Sequence, residues 1–210
     1  MFTGIIKKTA RIESVERRGG KTVIFVRCSS RVEVTDGQHV SVNGISSTLS
    51  TRKGKVIFFE YGSETMKKTT LRFWKKDDLV NLEENLKFGH PINGHLVTGH
   101  VDGVGQVTAG VNDKGERLFK IETSKELIAH MTKKGSIAVD GVSLTLADVG
   151  ENWFAITLIP YTISHTGWKE RKVGDMVNLE LNRLGKQRTR TMRGYVKKSS
   201  EKLRKNAKRA

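Results

Sequence analysis

The chain has 210 residues and carries 38 Lys and Arg against 22 Asp and Glu, a formal net charge of +16. That excess alone would suggest nucleic acid, but residues 183–210 hold +11 of it and residues 1–182 only +5, so it belongs to a tail. With 36% hydrophobic residues, one Cys and no apolar run near the roughly 20 residues of a membrane helix, the body reads as a soluble globular protein with no membrane span, expected in the cytoplasm.

In chain order, the opening Met1-Phe2-Thr3-Gly4-Ile5-Ile6 is too short for a signal sequence. Val23–Cys28 has the β-rich composition of a strand, which makes Cys28 a small buried residue. His39–Val42, Lys55–Phe59 and Leu79–Glu83 read as further strands, with a short helix around Ser63–Lys68. After a central stretch holding three His, a helix is expected over Ser124–Thr132, then strands at Ser136–Val139, Trp153–Ile159 and Met176–Glu180. Residues 183–210 form a basic tail or short helix with a thin apolar stripe.

These elements occur twice. Shifted by 97 positions, Val42-Asn43-Gly44-Ile45-Ser46 meets Val139-Asp140-Gly141-Val142-Ser143, Thr65 meets Thr162, and Val80–Glu83 meets Val177–Glu180. Nearer the start of the repeat the shift is 95, and Thr3-Gly4 meets Thr98-Gly99. A period this long marks a duplicated domain, because solenoid repeats run about 20–50 residues. Six short strands in fewer than about 100 residues must close on themselves or leave long edges. The expected fold is therefore all-β: two tandem six-stranded antiparallel Greek-key barrels, residues 1–93 and 94–182, followed by the tail 183–210.

Several chemistries fall away. His90, His95 and His100 are five apart; along a strand an odd spacing sends them to opposite faces, so no metal is expected. Gly103-Val104-Gly105 lacks the third glycine of a dinucleotide loop, and neither Ser46 nor Ser143 sits in a Gly-x-Ser-x-Gly elbow. What remains is a Ser-x-Thr pair after a glycine turn in each copy, Ser46 with Thr48 and Ser143 with Thr145. A second Thr pair follows in each, Thr65 with Thr69 and Thr162 with Thr166. A period of two places both hydroxyls of each Ser-x-Thr on one face. Hydroxyls donate and accept, which suits an uncharged, polyhydroxylated heterocycle; Thr is also simply frequent in strands.

The opening Met1–Ile6, the central Gly94-His95-Leu96-Val97-Thr98-Gly99-His100-Val101-Asp102-Gly103, Ser136–Thr145, Leu158-Ile159-Pro160 and Val177–Glu180 together resemble the riboflavin synthase family over residues 1–182. The resemblance implies two lumazine-binding barrels, a homotrimer and no cofactor, with riboflavin as product or bound ligand. It further implies a four-carbon-unit transferase converting two 6,7-dimethyl-8-ribityllumazine molecules to riboflavin and a pyrimidinedione, in a site between barrels of neighbouring chains. Carried over position by position, the ligand contacts are Phe2, Thr3, Gly4, Thr48, Gly62, Thr65, Val101, Ser143, Thr145, Thr162, Thr166 and Asn182. The catalytic positions are His39, Ser46 and His100. His100 is the acid/base candidate, since an unperturbed imidazole titrates near about 6.5.

Five positions depart from the family pattern. His39 stands where a serine is usual, Ser46 for a cysteine, Ser47 for a leucine, Tyr161 for a glutamate and Asn182 for an aspartate. A hydroxyl is a far weaker nucleophile than a thiol, and an amide neither holds charge nor takes a proton. The alternative reading is thus a non-catalytic lumazine- or flavin-binding paralogue, docking to an anionic partner such as nucleic acid through its basic tail.

Overall fold

The computed structural model describes residues 1–29, 35–113 and 116–182; the tail or helix expected over 183–210 lies outside them. Twelve strands form two closed antiparallel barrels. The first contains β1 (Lys8–Arg18), β2 (Lys21–Cys28), β3 (His39–Val42), β4 (Ile45–Lys53), β5 (Val56–Tyr61) and β6 (Leu79–Glu84). The second contains β7 (Gly103–Asp113), β8 (Glu116–Glu122), β9 (Ser136–Val139), β10 (Val142–Val149), β11 (Trp153–Leu158) and β12 (Met176–Leu181). Both run in the order first, second, fifth, fourth, third, sixth, a Greek key whose closure leaves no free edge.

Alternation sets the inside of each barrel. Along β2, Thr22, Ile24, Val26 and Cys28 are buried while their neighbours are not, and along β4 Ile45, Ser47 and Leu49 point inward. Each barrel is curled by bulges at equivalent places, Ile12/Ser14 and Leu49/Thr51 in the first, Val107/Ala109 and Leu146/Asp148 in the second. The hairpins β3–β4 and β9–β10 turn on Asn43-Gly44 and Asp140-Gly141, all four at positive φ, as a two-residue primed turn demands. The helix α1 (Ser63–Lys68) stands where expected, whereas α2 spans only Lys125–Ile128. α3 (Pro160–His165), which periodicity does not announce, is the repeat of α1 at a shift of 97. The pairing Ile12↔Val26 recurs as Val107↔Ile121, so the two extra residues of the second copy fall later, in the connection that carries α2.

The two barrels interlock through matched polar side chains. Asn81 donates from Nδ2 to the Asp140 carbonyl (2.9 Å) and accepts from Gly167 N–H at Oδ1 (2.7 Å). Asn178 does the same toward the Asn43 carbonyl (2.8 Å) and Thr70 N–H (2.8 Å). At the centre the two turns meet glycine to glycine: a Cβ on Gly44 would lie 2.7 Å from the Gly141 nitrogen, which no side chain tolerates. One position breaks the symmetry. Asp140, 1% exposed, accepts from the Arg171 guanidinium at 2.5 Å, where the first barrel has Asn43 and Trp74. Burial pushes the Asp140 carboxyl up, against the pull of Arg171 and the Asn178 N–H.

Candidate functional site

Each barrel is completed by an arm from the other half of the chain. The first arm, Met1–Ile6, is fastened to the first barrel by Glu83 of β6, which accepts from Thr3 N–H (2.7 Å), Thr3 hydroxyl (2.7 Å) and Gly4 N–H (3.0 Å). It then crosses over: the Gly4 carbonyl accepts from Ser143 N–H (2.8 Å), and Ile6 packs into the core of the second barrel. The second arm mirrors it. Glu180 of β12 accepts from Thr98 N–H (2.7 Å), Thr98 hydroxyl (2.8 Å) and Gly99 N–H (2.8 Å). The Gly99 carbonyl then takes Ser46 N–H (2.9 Å), and Val101 packs on the core of the first barrel. A Cβ on either Gly4 or Gly99 would lie 2.6 Å from the facing serine Cβ, so both arms require glycine there. Burial raises the Glu83 carboxyl above its ordinary value even though three donors point at it.

The arms meet at Phe2 and Val97, which exchange backbone hydrogen bonds of 2.7 and 3.0 Å. The His90–Asp102 stretch is therefore an irregular arm rather than a strand, and the opposite-face expectation for its histidines does not apply.

On the first barrel, Ser46 and Thr48 point outward from β4 while Ser47 turns in, 2.7 Å from the Tyr61 hydroxyl. That contact sets the start of β4 beside the end of β5, where Gly62 leads into α1 and Thr65. His100 follows Gly99 directly and is exposed; exposed His39 holds Nδ1 3.4 Å from the Thr48 hydroxyl. Ser46, Thr48, Gly62, Thr65, His100 and Val101 thus share the outer end of the first barrel.

On the second barrel, Ser143 and Thr145 point outward from β10. Leu146 pairs with Ile156, so β11 runs past them into α3, which brings Thr162 alongside and tucks Ile163 against the core. Ser143 is gripped from three sides, by Gly4, by Gly94 and by His95, whose Nδ1 lies 2.7 Å from the Ser143 hydroxyl. Burial holds the His95 imidazole below its usual pKa, and its Nε2 is buried without a hydrogen-bond partner. The residues of this cluster offer hydroxyls and an imidazole whose neutral form burial favours, groups that suit an uncharged polar heterocycle.

Other predicted residues occupy structural positions. Phe2 is fully buried against Val97 and Ala138. Buried Thr166 donates to the Thr162 carbonyl (2.7 Å) and accepts from Trp168 N–H (3.2 Å), capping the turn after α3, as Thr69 does after α1. Asn182 is half-buried just past β12. Neither cluster lines the cleft of about 410 Å³ between the barrels, which is walled instead by Thr70, Phe73, Trp74 and Arg171 among others. Sequence reasoning missed three roles. Glu83 and Glu180 were legible only as a repeated strand ending, and His95 as one of three histidines. The third is the stack of Tyr161 on His165, centroids 4.0 Å apart.

A family model, the lumazine binding domain, matches residues 3–85 and 98–182. The chain is 36% identical over 203 residues to riboflavin synthase of Chlamydia trachomatis, covering 96% of this chain and all of that one. It is also 36% identical over 187 residues to riboflavin synthase of Bacillus subtilis, covering 89% and 87%. Among solved structures, LumP complexed with riboflavin superposes with a TM-score of 0.80 at 24% identity, over 86% of this chain and 99% of that one, a likeness of fold. Among the described residues no helix is long and apolar enough to cross a membrane.

Proposed function

The chain belongs to the riboflavin synthase family, and on that premise we propose that it dismutates 6,7-dimethyl-8-ribityllumazine. One molecule gives a four-carbon unit to a second, yielding riboflavin and 5-amino-6-ribitylaminopyrimidinedione. The atoms of two lumazines equal those of the two products, so neither oxidant nor cofactor enters the balance.

The observation that carries this reading is the twofold repetition of the site. Each barrel presents one outward Ser-x-Thr pair, one short helix with a Thr, and one crossing Gly-containing arm. A reaction between two copies of one substrate needs two such places, and the proposed active form is a homotrimer that sets the first barrel of one chain against the second barrel of its neighbour. His100 takes the proton from the acidic 7-methyl group; it is exposed and directly follows Gly99, whose N–H is held by Glu180. Ser46 is positioned by its own N–H on Gly99 and offers a hydroxyl where a thiol is usual. Ser143, held by His95, orients the second heterocycle.

The test is incubation of purified protein with the lumazine and no added cofactor. Riboflavin should appear, and His100→Gln should lower its rate by about 10²-fold or more. Tight substrate binding with no riboflavin after long incubation establishes the other reading, a lumazine-binding paralogue without turnover, which Ser46 and Asn182 favour. The +11 carried by residues 183–210 suits an anionic partner; their deletion should abolish retention on heparin.

A further inference from the structure

The two barrels differ at matched positions of the short helix that follows the fifth strand of each. In the first, α1 carries Glu64 and Lys68 four residues apart, joined by an exposed ion pair of 2.8 Å. At the positions 97 later, α3 carries Tyr161 and His165. Their rings stack with centroids 4.0 Å apart and planes at 19°, and His165 Nδ1 is tied to the Tyr161 carbonyl (2.9 Å) and the Ser164 hydroxyl (2.9 Å). Tyr161 is nevertheless 67% exposed, and Ile159 just before it is 51% exposed. The arms add to the contrast, since His100 on the first barrel is matched by exposed Ile5 on the second at the shift of 95. At these matched positions the first barrel thus carries an ion pair and an imidazole, and the second an exposed tyrosine ring stacked on an imidazole, with exposed Ile5 and Ile159.

An aromatic ring backed by a second ring is held flat while its other face stays open to solvent, at little conformational cost. It adjoins Thr162 in α3, the helix that directly follows β11, the strand paired with the Ser143- and Thr145-bearing β10. We propose that Tyr161, braced by His165, is a specificity-determining residue: its open face stacks on the planar heterocycle at the second barrel and makes that half-site the tighter of the two. The inference rests on the lumazine-binding reading above and goes beyond it by making the half-sites unequal. Two identical substrates with different fates need inequivalent places, and a chain duplicated from one unit must acquire that difference through its side chains.

The test is equilibrium titration of the full chain with riboflavin and, separately, with the lumazine substrate, followed by ligand fluorescence. Wild type should show two classes of site. Tyr161→Ala should weaken the tighter class by about tenfold, the scale of one ring stacked on a base, and so should Tyr161→Glu, which copies the first barrel. Tyr161→Phe should remain within twofold of wild type, and Glu64→Ala should leave the tighter class unchanged. Tyr161 is exposed, so these variants should keep the wild-type melting temperature. Wild-type binding that Tyr161→Ala leaves within twofold overturns the stacking role while leaving the lumazine-binding reading intact. A change in molecular mass on Tyr161→Ala with binding unaltered also overturns it, by making the ring a subunit contact. Failure of wild type to bind either ligand overturns both.

Discussion

Glu180→Gln tests whether the crossing arms hold the molecule and its site together. The carboxylate is 4% exposed and accepts three hydrogen bonds, two at Oε1 from Thr98 and one at Oε2 from Gly99 N–H. A glutamine oxygen can serve Thr98, but its NH₂ then faces the Gly99 N–H, donor against donor. A hydrogen bond to a charged group contributes about 1.5–3 kcal/mol, and a buried donor left unpaired costs about 1–3 kcal/mol. Because an amide is cheaper to bury than a carboxylate, part of that sum is offset, leaving a net loss of about 2 kcal/mol. At about 2–4 °C per kcal/mol for a protein of this size, the melting temperature should fall by about 4–8 °C. Riboflavin formation should fall further than stability accounts for, since Gly99 places His100 and anchors Ser46. Scanning calorimetry and the lumazine assay, at a temperature where the variant is fully folded, read the two effects separately. A melting shift below about 1 °C with unchanged turnover would refute the idea that Glu180 fastens the arm.

Asp140→Asn should destabilise by about 3–5 kcal/mol in urea unfolding, because it strands the largely buried Arg171; adding Arg171→Met should recover part of that loss, and a strictly additive double variant counts against the pairing. His95 has a folded pKa lowered by burial. The unfolded chain therefore binds more protons as pH falls below about 6.5, and the stability tied to this residue, present above that value, is lost as pH falls through the folded pKa. The difference in melting temperature between pH 7.5 and 5.5 should shrink in His95→Gln, and an identical difference in both proteins would rule the linkage out. Cys28 is buried and its thiol is pushed up to about 11. It should be inert to a chromogenic disulfide reagent at pH 8 until urea unfolds the chain, and prompt reaction in the native state would show that the strand opens there.

The duplication made most of the fold readable. Once Val42–Ser46 was aligned with Val139–Ser143, the strands of one copy announced those of the other, and β4 and β10 send Ser46, Thr48, Ser143 and Thr145 outward as a period of two requires. α3 escapes because Tyr161, Thr162 and Ile163 are aromatic or β-branched and continue the strand-like run of β11, whereas Ser63–Lys68 holds the helix formers Glu64, Met66, Lys67 and Lys68; its match to Ser63–Lys68 is nevertheless present in the shift of 97. The crossing of the arms was not legible. Thr3-Gly4 and Thr98-Gly99 declare a need for glycine, but nothing local says that the neighbour demanding it is a serine in the other barrel. The pairing of His95 with Ser143 stays hidden because a spacing of five specifies opposite faces only in an extended segment, and the capping role of Thr166 stays hidden because a buried cap and an exposed donor are the same letter.

The exchange of arms also constrains how such a chain could have arisen. A single barrel with its own arm places Thr-Gly on its own glutamate but the next residues on someone else's serine and core, so it is incomplete as a monomer. Two copies facing each other across a dyad would satisfy both arms at once, with glycine turn against glycine turn at the axis. Joining two such copies end to end would tether a pair already interlocked and free the halves from identity. Asp140 with Arg171 on one side and Asn43 with Trp74 on the other are a difference that a symmetric dimer of identical copies could not carry.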